Sequence, residues 1–459
     1  MPFLDRCPIF VSGASGVVWD MLRRRQVRGS RYGRTVRSRG MVLLALLVVA
    51  GLVGVGVWFG LHRGTTTSAS TSSTTTTSTS VPSNRSSAGG AVRAEGTQFV
   101  SATGQVVQLT GVNVQGMEVS NAQGTSIPGI CNDGWRPLTV AEVGQIASYP
   151  FVNTVRLLIS WQNLEPTAPT VLASGSIIHH WNTTYVDALD TEINQLGAAH
   201  LHVILNMFQS SWSPAFTTGS ASKKAGCPGT GMPIWLNPDA SSETYQQASC
   251  NFYSGRTEPG VPGTAWSDFA AAETYVDAQY VDDPTVIGQD VVNEPYCSRS
   301  SADLEGFYGY VAPLIHQANP NIMIILEDRE QPASFELHSL PPVANVVLSI
   351  HLHQDYWSQP SAGQVPLPVS GAAVLMANEA RAKQWDVPLY VGEFYGFDSV
   401  GNQNGNNQPD GNFVQDTASF LTYAQGNGVG WTYWSWIQKK NPAKQPDLPA
   451  SVVNALVGG

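Results

Sequence analysis

Residues 285–296 read TVIGQDVVNEPY, an apolar run that stops abruptly at Asn293-Glu294-Pro295. Val286, Ile287, Val291 and Val292 are β-branched and suit a buried strand, whereas Pro295 cannot continue a central ladder. The stretch predicts a strand over 286–292 that delivers an amide and a carboxylate where it ends. A carboxylate there is costly unless exposed or paired, which marks Glu294 as a candidate for chemistry.

On either side of this stretch, strands alternate with helical periodicities. Strands are predicted over 106–114, 151–159, 201–208, 286–292, 322–326, 346–350, 389–391 and 429–436. Helices are predicted over 185–199, 266–280, 302–318, 371–384 and 412–425, the first from Val186, Leu189, Ile193 and Leu196 at helical spacing. Eight strands, mostly followed by helices, point to an α/β fold, a (β/α)8 TIM barrel. An open doubly wound sheet is the alternative, but no Gly-rich phosphate turn follows the first strand.

The chain has 459 residues and a formal charge of −10, unevenly spread. Residues 1–64 hold ten Arg, no Lys and two Asp, which leaves −18 on residues 65–459. So acidic a main body disfavours nucleic acid as a partner. The basic part precedes residues 42–61, VLLALLVVAGLVGVGVWFGL, twenty uncharged residues that as a helix would span about 30 Å. Arg23, Arg24, Arg25, Arg28, Arg31, Arg34, Arg37 and Arg39 lie directly before it, so the positive-inside rule keeps the N-terminus in the cytoplasm. The expected organisation is a basic cytoplasmic tail (1–40), a transmembrane signal anchor (41–61), a disordered Ser/Thr-rich linker (62–91) and an extracytoplasmic barrel (92–459). Secretion after signal cleavage is the competing expectation; it needs a small-x-small site, and none follows the run closely.

Cys131, Cys227, Cys250 and Cys297 fall outside the membrane on this reading, and four cysteines permit three pairings. Cys227 and Cys250 share one long loop and are the favoured pair, with Cys131–Cys297 second. No zinc spacing, HExxH or phosphate loop occurs, so neither metal nor cofactor is expected.

In a barrel of this kind the active site lies at the C-terminal strand ends. Those ends carry Asn113, Arg156, Trp161, Asn206 to Gln209, Asn293, Glu294, Glu327, Asp328, His351, His353, Glu393, Tyr395, Trp434 and Trp436. Aromatic faces stack on pyranose C–H groups while amides and carboxylates take the hydroxyls, so the mixture suits a sugar. Two carboxylates on different strand ends are what glycoside cleavage needs. Glu294 and Glu393 fit; Glu327 and Asp328 fit equally by spacing alone, and Asp290, inside its strand, reads as structural.

Thr154-Val155-Arg156, Asn293-Glu294-Pro295, Ser349-Ile350-His351, Val391-Gly392-Glu393-Phe394 and Trp431-Thr432-Tyr433-Trp434-Ser435-Trp436 together resemble the ordered signature of glycoside hydrolase family five, the cellulase-type retaining glycosidases. The resemblance implies Glu294 as general acid/base and Glu393 as nucleophile. It also implies that Arg156 orients the nucleophile, Asn293 holds the sugar 2-hydroxyl, His351 lines the cleft and Trp434 forms a platform under the cleaved sugar. Trp161, His353 and Tyr395 join these as substrate-binding candidates. Asn206-Met207-Phe208-Gln209-Ser210 and Gly231-Met232-Pro233-Ile234-Trp235 are similar to the endoglycoceramidase-related group, which has Asp-Met-His-Gln-Asp at the first of these; here Phe208 replaces the His and Ser210 the acid. The expected activity is retaining β-glycoside hydrolysis on a β-linked glycan or glycolipid, endoglycoceramidase-like or endo-β-glucanase/mannanase-like. The alternatives are a catalytically inactive carbohydrate-binding or cell-wall-associated barrel and a transglycosylase using the same residues.

Overall fold

The structure is a computed structural model that describes residues 92–119, 135–216, 229–297, 301–328, 337–353, 371–395, 413–437 and 448–457. The predicted tail, apolar span and linker, with Cys7, Cys131 and Cys227, lie outside these residues. Among the described residues no helix is long and apolar enough to cross a membrane.

Three short strands come first: β1 (Arg93–Glu95), β2 (Gln98–Val100) and β3 (Val106–Val107), paired antiparallel in that order. Next are β4 (Thr110–Gln115), helix α1 (Val140–Ser148), β5 (Thr154–Ile159), the single-turn helix α2 (Trp161–Leu164) and a small hairpin of β6 (Thr170–Val171) and β7 (Ile177–Ile178). Helix α3 (Thr183–Ala198) leads into β8 (His202–Met207), and α4 (Tyr245–Tyr253) and α5 (Ala265–Gln279) precede β9 (Val286–Asp290). The remainder is α6 (Ser301–Ala318), β10 (Met323–Glu327), β11 (Val346–His353), α7 (Gly371–Trp385), β12 (Leu389–Tyr395), α8 (Phe413–Asn427), β13 (Gly430–Ile437) and α9 (Ala450–Val457).

Strands β4, β5 and β8 to β13 form a closed parallel barrel. Closure is made by β13 on β4, with Trp431 opposite Thr110 and Trp436 opposite Val114. All eight expected barrel strands are present. The predicted strand over 106–114 is two strands, because Val106–Val107 turns back to pair with β2 before β4 enters the barrel. Several helix starts are capped by the local sequence: Thr139 with Glu142 at α1 and Thr244 with Gln247 at α4 form reciprocal capping boxes.

Inside the N-terminal half of the barrel, Ile204, Ile287, Met323, Ile325, Val347 and Tyr390 pack with Leu109, Phe99 and Val92. The small sheet thus supplies Val92 and Phe99 as an apolar plug for that end. Gly430 is required there, since a Cβ would stand 3.0 Å from the Phe99 ring and 3.1 Å from that of Tyr390. The outward faces of the strands, among them Val155, Leu157, Leu205, Ile324, Leu326 and Leu348, pack in a second cluster with the helices. Both faces are covered, so the strands read as near-continuous apolar runs.

Candidate active site

The C-terminal half of the same barrel is polar and centres on Arg156 of β5, whose side chain has no exposure. A guanidinium has five N–H donors, and each finds an acceptor. Nε donates to Asp290 Oδ2 at 2.8 Å. Nη1 donates to Asn113 Oδ1 at 2.9 Å and Glu393 Oε1 at 2.8 Å, and Nη2 to Asn293 Oδ1 at 2.9 Å and Glu327 Oε1 at 2.7 Å. One side chain therefore ties β5 to β4, β9, β10 and β12. The Asn113 amide extends the web by donating to Gly392 O at 2.8 Å.

Burying a charge is tolerated only when it is paired and hydrogen-bonded. Desolvation pulls the Arg156 pKa down, but Asp290, Glu327 and Glu393 outweigh it and hold the guanidinium firmly protonated. One cation facing three carboxyls leaves an excess of negative charge. Burial and the neighbouring Glu327 accordingly raise Asp290 well above the usual carboxylate range despite its bond to Arg156.

Glu294 lies just beyond β9, half-buried, with a backbone φ of 42°. Its backbone N–H donates to Glu327 Oε2 at 2.6 Å. The Gln209 amide donates to the carbonyls of Asn293 at 3.0 Å and Glu294 at 3.1 Å, so the Asn-Glu-Pro turn is gripped from two sides. The Glu294 side chain meets His351 of β11, with Oε1 2.9 Å from Nδ1. The same Nδ1 is 3.7 Å from Glu393 Oε2. One carboxylate oxygen each from Glu294 and Glu393 and the ring nitrogen all lie within 4.8 Å of one another. Burial lowers the His351 pKa, but Glu327, Glu393 and Glu294 together carry it well above the ordinary histidine value. Gly392 makes room for the ring: a Cβ there would stand 3.0 Å from His351 Nε2.

Trp434, half-buried on β13, stacks on Phe208 with ring centroids 5.9 Å apart and planes 18° apart, and its peptide bond to Ser435 is cis. Arg156, Asn293, Glu294, His351, Glu393 and Trp434 are thus gathered at one end of the barrel. Trp161 is not among them. β5 stops at Ile159 and Ser160 caps α2, which turns the indole outward, fully buried, edge-on to Trp235 at 5.3 Å and Phe269 at 5.6 Å. It belongs to the core between barrel and helices. Trp436 is likewise core. His353 and Tyr395 are register partners at the ends of β11 and β12, and their side chains lie outside the description.

The favoured Cys227–Cys250 pairing is also corrected, because Cys250 of α4 is bonded to Cys297, with Cα atoms 4.8 Å apart. Helix α4 packs beside the chain just past Pro295, where the Ser249 hydroxyl donates to Tyr296 O at 2.6 Å. Loop sharing was a poor guide, since this helix carries its cysteine out of the loop to the active-site turn. Sequence reading also missed Glu327 as the common partner of Arg156, His351 and the Glu294 backbone, and Gln209 as the clamp on that turn. Their positions at strand ends were the only signal.

The sequence pattern that defines Cellulase (glycosyl hydrolase family 5) matches residues 100–440. No curated protein matches the chain. Among solved structures, an endogalactoceramidase superposes with a TM-score of 0.58 at 22% identity, over 76% of this chain and 75% of that one. Endo-glycoceramidase II from Rhodococcus sp. superposes with a TM-score of 0.56 at 21% identity, over 79% and 80%. At such identity these two likenesses speak for the fold; the family pattern, which spans most of the chain, speaks for more. The chain belongs to glycosyl hydrolase family 5, the cellulase family, and is a glycosidase that hydrolyses O-glycosyl compounds.

Proposed function

We propose that this glycosidase retains anomeric configuration, with Glu393 as nucleophile and Glu294 as general acid/base, and that its substrate is a β-linked glycan or glycolipid. The observation that carries the reading is that one oxygen of Glu294 and one of Glu393 lie within 4.8 Å of each other. Retaining enzymes hold the two carboxyl groups about 5–5.5 Å apart, whereas inverting enzymes leave roughly 6.5–9.5 Å for a water. Arg156 donates to Glu393 Oε1 at 2.8 Å and so favours the ionised, attacking form.

In the first half-reaction a Glu393 oxygen attacks the anomeric carbon while Glu294 gives its proton to the glycosidic oxygen, which leaves with the bond electrons. In the second, water attacks the same carbon, yields a proton to Glu294 and releases Glu393. Asn293 is the partner for the sugar 2-hydroxyl, its own carbonyl oxygen being fixed by Arg156. Trp434 is the platform beneath the cleaved sugar, and His351 lines the cleft. The neighbours whose names include galactoceramide and glycoceramide cleavage favour a glycolipid; a β-glucan or mannan is the second choice. Transfer to another sugar uses the same residues, and product analysis separates it from hydrolysis.

We also propose that residues 41–61 anchor the chain and that the barrel works outside the membrane. The Arg cluster before an uncharged apolar run supports this, and so does the Cys250–Cys297 bond, which suits an oxidising compartment. Protease added to intact cells should remove the barrel; full protection would contradict the placement. For the chemistry, E294Q and E393Q should each lower turnover of an activated aryl β-glycoside by at least about 100-fold while preserving the fold. Wild-type turnover in both would refute the assignment.

A further inference from the structure

Glu327 has no part in the reaction as described, yet its side chain touches Arg156, His351 and the Glu294 backbone. It ends β10 almost fully buried, and its backbone carbonyl accepts a hydrogen bond from the Tyr308 hydroxyl at 2.9 Å. Oε1 faces Arg156 Nη2 at 2.7 Å and His351 Nε2 at 3.0 Å, while Oε2 accepts the Glu294 backbone N–H at 2.6 Å. The Nε2 contact is bent rather than straight, an ion-pair approach more than a linear hydrogen bond.

Each of these groups approaches the carboxylate as a donor, so Glu327 acts purely as an acceptor. The negative charge of a carboxylate oxygen 3.0 Å away favours a proton on His351 Nε2, although the contact is bent. The opposite nitrogen, Nδ1, then faces Glu294 Oε1 at 2.9 Å with one proton between them, on the ring or on the carboxyl. That is the proton a general acid must deliver. The charged groups around the ring are Glu294 beyond β9, Glu327 of β10 and Glu393 of β12, with Asp290 of β9 and Arg156 of β5 behind them.

We propose that Glu327 is the positioning residue of the acid: one oxygen fixes the His351 tautomer that keeps a proton against Glu294, and the other pins the turn that aims Glu294. The inference rests on Glu294 being the acid/base. When Glu294 hands its proton to the leaving oxygen, the O–H electrons stay on the Glu294 carboxylate. His351, held at Nε2, faces that carboxylate until the proton of the attacking water restores the pair.

The test is the pH profile of kcat for E327Q in the full-length chain, on an activated aryl β-glycoside. Glutamine keeps the shape but withdraws the charge that holds the shared proton. kcat should fall about 100-fold, and the basic limb should move down by about one pH unit. A lowered kcat with an unmoved basic limb would overturn the proposal. If E327Q does not fold, ¹⁵N-histidine NMR of the wild-type chain reads the same point. A protonated Nε2 on His351 through the active pH range is expected, and a bare Nε2 overturns the proposal. If E294Q and E393Q are both fully active, the underlying assignment fails whatever E327Q does; if both are dead and the E327Q limb is unmoved, only the role of Glu327 fails.

Discussion

The two ends of the barrel are built from the same strands and obey opposite rules. Ile325 and Glu327 are two residues apart on β10, and Val347 and His351 share β11, as Ile204 and Asn206 share β8. The first member of each pair packs in the apolar plug at the N-terminal end, and the second is buried among polar groups. At the plug end, burial needs no partner and position is set by volume. At the other end almost nothing is stable alone, and Arg156 is held because five acceptors from four other strands and the turn after β9 converge on it. A strand can bear this second arrangement because the first one fastens it.

Breaking the polar end should cost most. Arg156→Met leaves Asp290, Glu327 and Glu393 buried without their cation, so stability should fall by about 3–5 kcal/mol and activity should vanish. Denaturant titrations should show part of the loss recovered at acid pH, where the carboxyls take up protons. A pH-independent loss would mean that packing, not charge, held the residue.

The plug end should fail differently. Ile325→Ala removes buried volume beside Ile204 and Val347, at a cost of about 3 kcal/mol. Turnover per folded molecule, measured at a temperature where the variant is folded, should stay within about twofold of wild type. A large drop in kcat would show that the two ends are not separable.

The smallest effect concerns the rim beyond β4. Glu118 is buried with its Oε2 accepting the Gly116 N–H at 2.5 Å, and burial outweighs that bond, raising its pKa from 4.5 to about 7. The folded protein therefore keeps a proton there that the unfolded chain has released. Stability from this group is fully present below pH 4.5 and is lost as the pH climbs to about 7, a fall of about 3 kcal/mol at most. E118Q should flatten that part of the stability curve, and an unchanged slope would assign the decline to other groups.

The contrast between the ends also explains what the sequence made legible. Apolar runs announce strands, so the eight barrel strands and the turn at Asn293-Glu294-Pro295 could be read directly. The break between β3 and β4 could not, because Val106 and Val107 continue the same apolar pattern while pairing with a different sheet. At the polar end, period-two alternation says that Arg156 and Glu327 face inward but not that they meet across the barrel. Asp290 thus read as a structural acid and Glu327 as a candidate for the catalytic pair until closure put both on one guanidinium. Trp161 misled for the converse reason: it follows a strand end, and one helical turn sends it away from the cleft.

The most direct test of the central assignment is to trap the glycosyl-enzyme with an activated 2-deoxy-2-fluoro β-glycoside and map the labelled peptide by mass spectrometry. A covalent sugar on Glu393 is the predicted result. A label on Glu327, Asp290 or Glu294, or an inverted product with no adduct, would contradict it.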